Sequence, residues 1–394
     1  MKQLYTRNMS FNERLFVVAD RLHPPVANRF IFEGTGVPDP ERWRRAVEIA
    51  SAANPGSRLV LKGRLGGCRW VDSGVTPPVI EAPECEQGVL PKEAPYLQKP
   101  LYPETGPTCD VVLVPGRPMR VIFRTHHGVM DGRGTLTWAE DVFRALRGEH
   151  CTGSDSVLTD TELARSFQKK HRRPYPTAQL APTGIAAGSE PGVEWRRVTL
   201  RGRYHNLLPR TAVLVAQEAR RNAGGREGDV LIGIPVDMRP RLPGLVSTGN
   251  LTMAIYVLIN PDTTPGQVAE DISRQLKEKA EGMLTPGDDL VRYMPMVLLG
   301  AAAKRLINRR HRNGMYSMSG VISNMGRINL EGFRGGGFEA SAFWAIPPLV
   351  DYLPFFLGMC GYDDTVEMIL ILPRKLATDG RLDRTMDRLV SSLG

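Results

Sequence analysis

The chain contains no Cys-x-x-Cys pair, and its five cysteines, Cys68, Cys85, Cys109, Cys151 and Cys360, are scattered singly along 394 residues. An odd, dispersed set of this kind supports neither a disulfide framework nor a zinc site, so free thiols are expected. Long apolar runs are also missing. The greasiest stretch, 294–303, is broken by Pro295 and Gly300 and falls well short of the ~20 residues that span a bilayer. Residues 1–16 carry polar side chains throughout and lack the apolar core of a secretory signal, which predicts a cytoplasmic protein with no membrane span. No Gly-x-Ser-x-Gly elbow, Walker loop or dinucleotide fingerprint occurs, so a covalent serine mechanism and a nucleotide cofactor are not expected. The His-x-x-x-His spacing of helical zinc sites is absent too.

What is present is ordinary globular composition, 42% hydrophobic and 24% charged, in a chain longer than one hydrophobic core usually supports. Two domains follow as the starting expectation. A formal charge of +9 favours acidic partners, whether nucleic acid, an acidic carrier protein or the phosphates of coenzyme A. No zinc finger, RNP-type aromatic pair or basic zipper accompanies the charge, so nucleic-acid binding is not expected. Two basic clusters stand out, Lys169-Lys170-His171-Arg172-Arg173 and Lys304-Arg305 with Arg309-Arg310-His311-Arg312. A solvated helix face is the simpler account of both, with a docking or phosphate role as the alternative.

The stretch richest in chemistry is His126-His127-Gly128-Val129-Met130-Asp131-Gly132. The apolar run 121–124 before it predicts a strand, and Leu136, Ala139, Val142, Phe143 and Leu146 after it recur at helical spacing, so the motif sits on a strand-to-helix turn. Adjacent residues on an extended backbone point to opposite faces, so one histidine is expected to work and the other to support it. The same geometry disfavours a metal held by His126, His127 and Asp131, and none is expected.

Elsewhere, Trp43, Ala46, Val47 and Ala50 predict a helix over 40–53, and 58–65 with 69–71 reads as a hairpin. The proline-rich 77–107 reads as a surface meander. The run 109–114 should pair with 120–124 around Gly116-Arg117-Pro118. Prolines and glycines break residues 149–192 into an expected linker. Beyond it, strands are predicted at 193–200, 230–236, 251–259, 320–323 and 366–372. Helices are predicted at 210–222, 268–280 and 379–393, with a Met-rich one near 294–303.

The HHxxxDG pattern resembles the active-site motif of the superfamily that includes chloramphenicol acetyltransferase, peptide synthetase condensation domains, polyketide-associated acyltransferases and wax ester synthases. The resemblance extends to 234–241 (Ile-Pro-Val-Asp-Met-Arg-Pro-Arg), to Gly249-Asn250, to 322–328 around Ser323-Asn324-Met325-Gly326, and to an early Ser10-Phe11-Asn12-Glu13. It implies an α/β fold of two chloramphenicol-acetyltransferase-like lobes, each a two-layer sandwich, forming a V with a central tunnel. The expected division is an N-terminal lobe at 1–150, a crossover at 151–192 and a C-terminal lobe at 193–394. It further implies His127 as catalytic base and Asp131 as a structural carboxylate paired with an arginine of the other lobe. Arg239 is the candidate partner and Arg241 the fallback.

His126 is then a supporting residue, and Gly132 a point of close backbone approach to the reacting carbonyl. Ser323 and Asn324 are candidates for the oxyanion, with a strand-end turn as the equal alternative. Trp138, Trp344, Phe355 and Phe356 are candidates for a tunnel wall, although core packing is the stronger reading. The donor expected is an acyl thioester, on coenzyme A or on a phosphopantetheinyl carrier protein, and the acceptor a small alcohol or amine. No bound cofactor is expected. The early Arg-His-Glu segment of peptide synthetase condensation domains is missing, which tilts the expectation towards free-standing acyltransferases.

Overall fold

The computed structural model describes the whole chain except residues 1–3, 86–89, 173, 174, 176–178, 286 and 292, so Arg173 of the first basic cluster lies outside the described residues. Two six-stranded sheets organise it. The first runs, edge to edge, Arg334–Gly335, Phe338–Ile346, Ala27–Gly36, Met119–His126, Cys109–Val114 and Val79–Glu81. The second runs Thr252–Leu258, Leu231–Asp237, Gly320–Arg327, Phe356–Tyr362, Thr365–Pro373 and Val193–Arg201.

Each sheet is covered by helices whose apolar stripes supply its core. Helices Pro40–Ala53 and Gly132–Leu146 pack on each other over the first sheet, around Trp43, Phe32, Phe123 and Phe143. Helices Leu207–Arg221, Pro265–Lys277 and Arg381–Leu393 do the same for the second, around Val215, Ala219, Met386 and Leu389. The result is the mixed α/β architecture of two sheet-and-helix layers that the sequence predicts.

The expected division in chain order needs one correction. Strand Phe338–Ile346 falls within 193–394, yet it pairs antiparallel with Ala27–Gly36 in the first sheet, with Phe343 opposite Phe32 and Trp344 opposite Ile31. Its Phe338, Phe343 and Trp344 are buried, and Phe333 just before it stacks on Phe32 at 4.5 Å between ring centroids. The last third of the chain therefore completes the first core. The expected linker is not featureless either: Asp160–Phe167 is a helix, closed by a capping box in which Thr159 and Glu162 satisfy each other's backbone N–H groups. The proline-rich 77–107 contributes Val79–Glu81, paired in parallel with Cys109–Val114. Trp138, Trp344 and Phe355 are core residues, and the Trp138 indole N–H donates to Ser51 Oγ at 3.2 Å.

Candidate active site

The motif strand Met119–His126 is central in its sheet and buried along its whole length, so its exit places the next residues at a defined point. His126 is its last residue, opposite Ala27. The chain then folds back, with Val129 N–H donating to His126 O at 2.8 Å and His127 N–H to Val26 O at 2.9 Å. The two histidines differ in burial, although both rings meet the same helix. His126 is fully buried; its Nδ1 accepts the Gly128 N–H at 3.0 Å, and its Nε2 lies 3.7 Å from Asp20 Oδ2. His127 is half-buried and meets the ring of Phe16 edge-on at 4.1 Å. Phe16 and Asp20 are one turn apart on helix Phe11–Leu22, so a single helix face supports both imidazoles.

His127 Nδ1 lies 3.2 Å from Met130 O. A carbonyl can only accept, so Nδ1 carries the proton and Nε2 keeps its lone pair. Burial lowers the imidazole pKa from 6.5 to about 4, with His126 adding to the effect and Asp131 opposing it. The ring is therefore neutral at pH 7. The sign of the linked stability follows: between pH 6.5 and 4 the unfolded chain binds a proton that the folded chain refuses, so acid destabilises the fold through this residue. Replacing His127 by Phe should make the melting temperature fall less steeply across that window than in wild type, as followed by circular dichroism. Parallel slopes would show that the imidazole is not held neutral.

Almost every carbonyl of the loop is held by a side chain. His127 O accepts from Asn250 Nδ2 at 2.7 Å, Val129 O from Arg7 Nη2 at 2.9 Å and Met130 O from Asn28 Nδ2 at 2.9 Å. Arg7 is itself ion-paired with the buried Glu13, whose second oxygen accepts the Trp70 indole N–H at 3.1 Å. Arg7, Glu13, Asn28 and Asn250 drew no role from sequence beyond the resemblance of segments that contain Glu13 and Asn250. Each is a single polar residue whose partner is distant in the chain.

Asp131 caps helix Gly132–Leu146, accepting the Gly134 N–H at 2.7 Å. It also faces Arg239 two-pronged, with Nη2 to Oδ1 at 2.9 Å and Nη1 to Oδ2 at 3.1 Å. Leu251 N–H and the Thr252 hydroxyl each donate to Oδ2 at 2.8 Å. Burial alone would raise this carboxyl, but the Arg239 charge, with hydrogen bonds from Arg239, Gly134 and Thr252, holds it below the usual carboxylate range. Arg239 sits in the short turn after strand Leu231–Asp237 and spends all five N–H groups: two on Asp131, one on Asp237 Oδ1 at 2.7 Å, one on Ser247 O at 2.9 Å and one on Gly249 O at 2.6 Å. The fallback, Arg241, is engaged elsewhere, with Glu281 at 2.6 Å.

Within the protein itself, the close approach that demands glycine falls at Gly134 rather than at Gly132. At Gly132 a Cβ would sit 3.5 Å from Met325 Cε and 3.6 Å from Phe30 Cζ, ordinary contact distances. At Gly134 it would fall 2.3 Å from Thr248 O and 3.1 Å from Gly249 O, so only a bare backbone lets the motif helix approach this loop of the other half. Gly134→Ala should therefore cost stability where Gly132→Ala costs little. Melting curves check this, and equal melting temperatures would mean that the 248–249 loop can retreat.

Ser323 and Asn324 lie on strand Gly320–Arg327, flanking the point where Met325 reaches over Gly132. Ser323 is half-buried; Asn324 is exposed, and its Oδ1 accepts the Gly326 N–H at 2.9 Å, with Gly326 at φ +73°. The strand bulges here rather than ending in a turn, and the Asn324 side-chain carbonyl oxygen is committed to the bulge. Two clefts lie outside the motif, with none of residues 126–132 in their lining. One, of about 880 Å³, is lined by Pro24, Pro25, Trp195 and Arg374, next to Val26. The other, of about 1080 Å³, is lined by Arg201, Arg203, Arg327 and Tyr362. No cluster of three histidine, cysteine or acidic side chains suited to a metal occurs among the described residues.

The chain matches no protein-family model and no curated protein sequence. Solved structures do superpose on it. The starter condensation domain of rhizomide synthetase RzmA, as a double mutant in complex with C8-CoA, matches at TM-score 0.67 and 16% identity over 98% of this chain and 93% of that one. The fold is that of a condensation domain. A second RzmA double-mutant complex, with C8-CoA and Leu-SNAC, gives TM-score 0.64 at 14% identity over 98% and 93%. The condensation domain of the monacolin K polyketide synthase MokA gives 0.62 at 12% over 98% and 96%. The condensation-domain fold is the chloramphenicol-acetyltransferase-like pair of lobes that the HHxxxDG resemblance implies, and the missing Arg-His-Glu segment does not remove the chain from it.

Proposed function

We propose that the protein is an acyltransferase of the condensation type, moving an acyl group from a thioester to an amine or hydroxyl, in the service of natural-product assembly. The observation that carries this is the geometry of His127: an imidazole whose Nδ1 lies 3.2 Å from Met130 O, on a loop fastened from both halves of the molecule. In the proposed step, Nε2 takes the proton from the acceptor as its nitrogen or oxygen attacks the thioester carbonyl. The oxyanion forms near the start of helix Gly132–Leu146, where the positive end of the helix dipole and its first N–H groups favour negative charge. Collapse breaks the carbon–sulfur bond, and the imidazolium returns its proton to the departing thiolate. Asp131 and Arg239 act as positioning residues, Ser323 and the Asn324 amide remain candidates for the reacting carbonyl, and alignment of two bound substrates supplies much of the acceleration.

An acyl-CoA donor with an amine acceptor is the first pairing to test, because three of the RzmA structures carry C8-CoA, one of them with Leu-SNAC; a carrier-bound donor is the second. Purified protein mixed with C8-CoA and Leu-SNAC should release thiol and yield an acylated amine by mass spectrometry. Absence of product with these and with a carrier-bound donor, across amine and alcohol acceptors, would overturn the reading.

A further inference from the structure

From residue 290 to residue 330 the chain carries no aspartate or glutamate, while Arg292, Lys304, Arg305, Arg309, Arg310, Arg312 and Arg327 all fall within it. Helix Met296–Asn313 occupies the middle of this stretch. Its inner stripe, Met296, Leu299 and His311, is buried, and it packs on helix Phe11–Leu22. The outer stripe is solvated and basic only over its later turns, as the sequence suggests for 304–312; its start is apolar. Its first two turns expose Val297 (77%) and Leu298 (58%) beside Ala301 and Ala302, and its last turns expose Lys304, Arg305, Arg309 and Arg312. None of these four cations belongs to an ion pair among the described residues.

The apolar end is continuous with a neighbouring loop tip. Arg14 donates to Met294 O at 3.1 Å and also to Leu65 O, which brings Leu65, 52% exposed, alongside the start of the helix. Lys62, Arg64 and Arg69 stand exposed around that tip. Aliphatic side chains are thus exposed together on this face, with cations at the far end of the helix and around the loop tip. A second copy of the chain would bring like charges together on this face. Exposed aliphatic side chains among cations, with no carboxylate from residue 290 to 330, are complementary to an anionic lipid interface, which offers headgroup charge and an acyl boundary together.

We propose that this face is a membrane-docking surface: helix Met296–Asn313 lies along an anionic lipid bilayer, with Val297, Leu298 and Leu65 entering the acyl boundary and the arginines and lysines resting among the headgroups. An 18-residue helix offers about 27 Å of such contact, and the arrangement is that of an interfacial element. No helix among the described residues is long and apolar enough to cross a bilayer, so the docking is peripheral.

The test is flotation of the full chain with vesicles of phosphatidylcholine and phosphatidylglycerol in equal parts, against vesicles of phosphatidylcholine alone. Wild type should float with the anionic vesicles, poorly with the neutral ones, and less as salt is raised. Arg305→Glu with Arg309→Glu should lower partitioning about tenfold or more, and Val297→Ser with Leu298→Ser should lower it while leaving the melting temperature unchanged. No flotation with anionic vesicles at low salt, or undiminished flotation of either double variant, would overturn the proposal. So would retention on an acidic carrier protein without vesicle binding. The measurement reads no turnover, so it stands or falls separately from the proposed activity.

Discussion

His127→Ala should remove acyl transfer while leaving the melting temperature close to wild type or above it. A positioned base contributes about 10²–10⁴-fold to rate, and the proposed direct transfer, with no covalent intermediate, leaves no second group to share the loss. The fold should tolerate the change, because the loop is held by other residues: Asn250 on His127 O, Arg7 on Val129 O and Asn28 on Met130 O. Truncating a half-buried ring also removes a site whose neutrality acid must overcome. Single-turnover thiol release with saturating donor is the appropriate measurement, and a variant as fast as wild type would remove His127 from the chemistry. His126→Ala should behave differently. Its imidazole is fully buried against Gly128 N–H and Asp20, so it should lose stability as well as rate.

Arg239→Ala should be the most destabilising single change at the site, by about 3–5 kcal/mol, the cost of leaving a buried charge without its partner. The substitution strands Asp131 and also frees the carbonyls of Ser247 and Gly249, both fixed by the same guanidinium. Asp131→Asn should cost less, because Arg239 retains Asp237 and the two carbonyls. A double-mutant cycle in denaturant isolates the pair, since both positions share one network. An interaction energy indistinguishable from zero would mean that the remaining donors, Gly134 N–H, Leu251 N–H and the Thr252 hydroxyl, carry Asp131 alone. A large loss of rate at unchanged stability would give Asp131 a direct part in the reaction.

The local half of this structure was readable because local rules govern it. The apolar run before His126 and the 3.6-residue spacing after Gly132 are properties of neighbouring residues, and they place the motif where the structure has it. The helix at Asp160–Phe167 announces itself by Thr159-x-x-Glu162, a capping signature that the surrounding prolines and glycines obscure. What sequence could not show is pairing at a distance. Strand Phe338–Ile346 has ordinary strand composition, and nothing in it names Ala27–Gly36 as its neighbour rather than a strand closer in the chain. Gly134 is similar: its reason for being glycine is a carbonyl of residue 248, invisible until the two halves are brought together. Arg239 over Arg241 came from the resemblance, because two arginines two residues apart offer no physical ground for choosing between them without the turn that separates their directions.

The placement of strand Phe338–Ile346 also bears on how the protein is made. Ser341 and Glu33, hydrogen-bonding neighbours across the first sheet, are separated by 308 positions, so a ribosome has released most of the chain before that pairing can begin. Until then Ala27–Gly36 is an open edge with Phe30, Ile31 and Phe32 waiting beside it, the kind of template that recruits other nascent chains. A fragment ending at residue 150 would hold that condition permanently and should aggregate. Folding of the intact chain should be slow, set by its longest loop closure rather than by its helices, and release of the C-terminal third becomes the step that commits both halves at once.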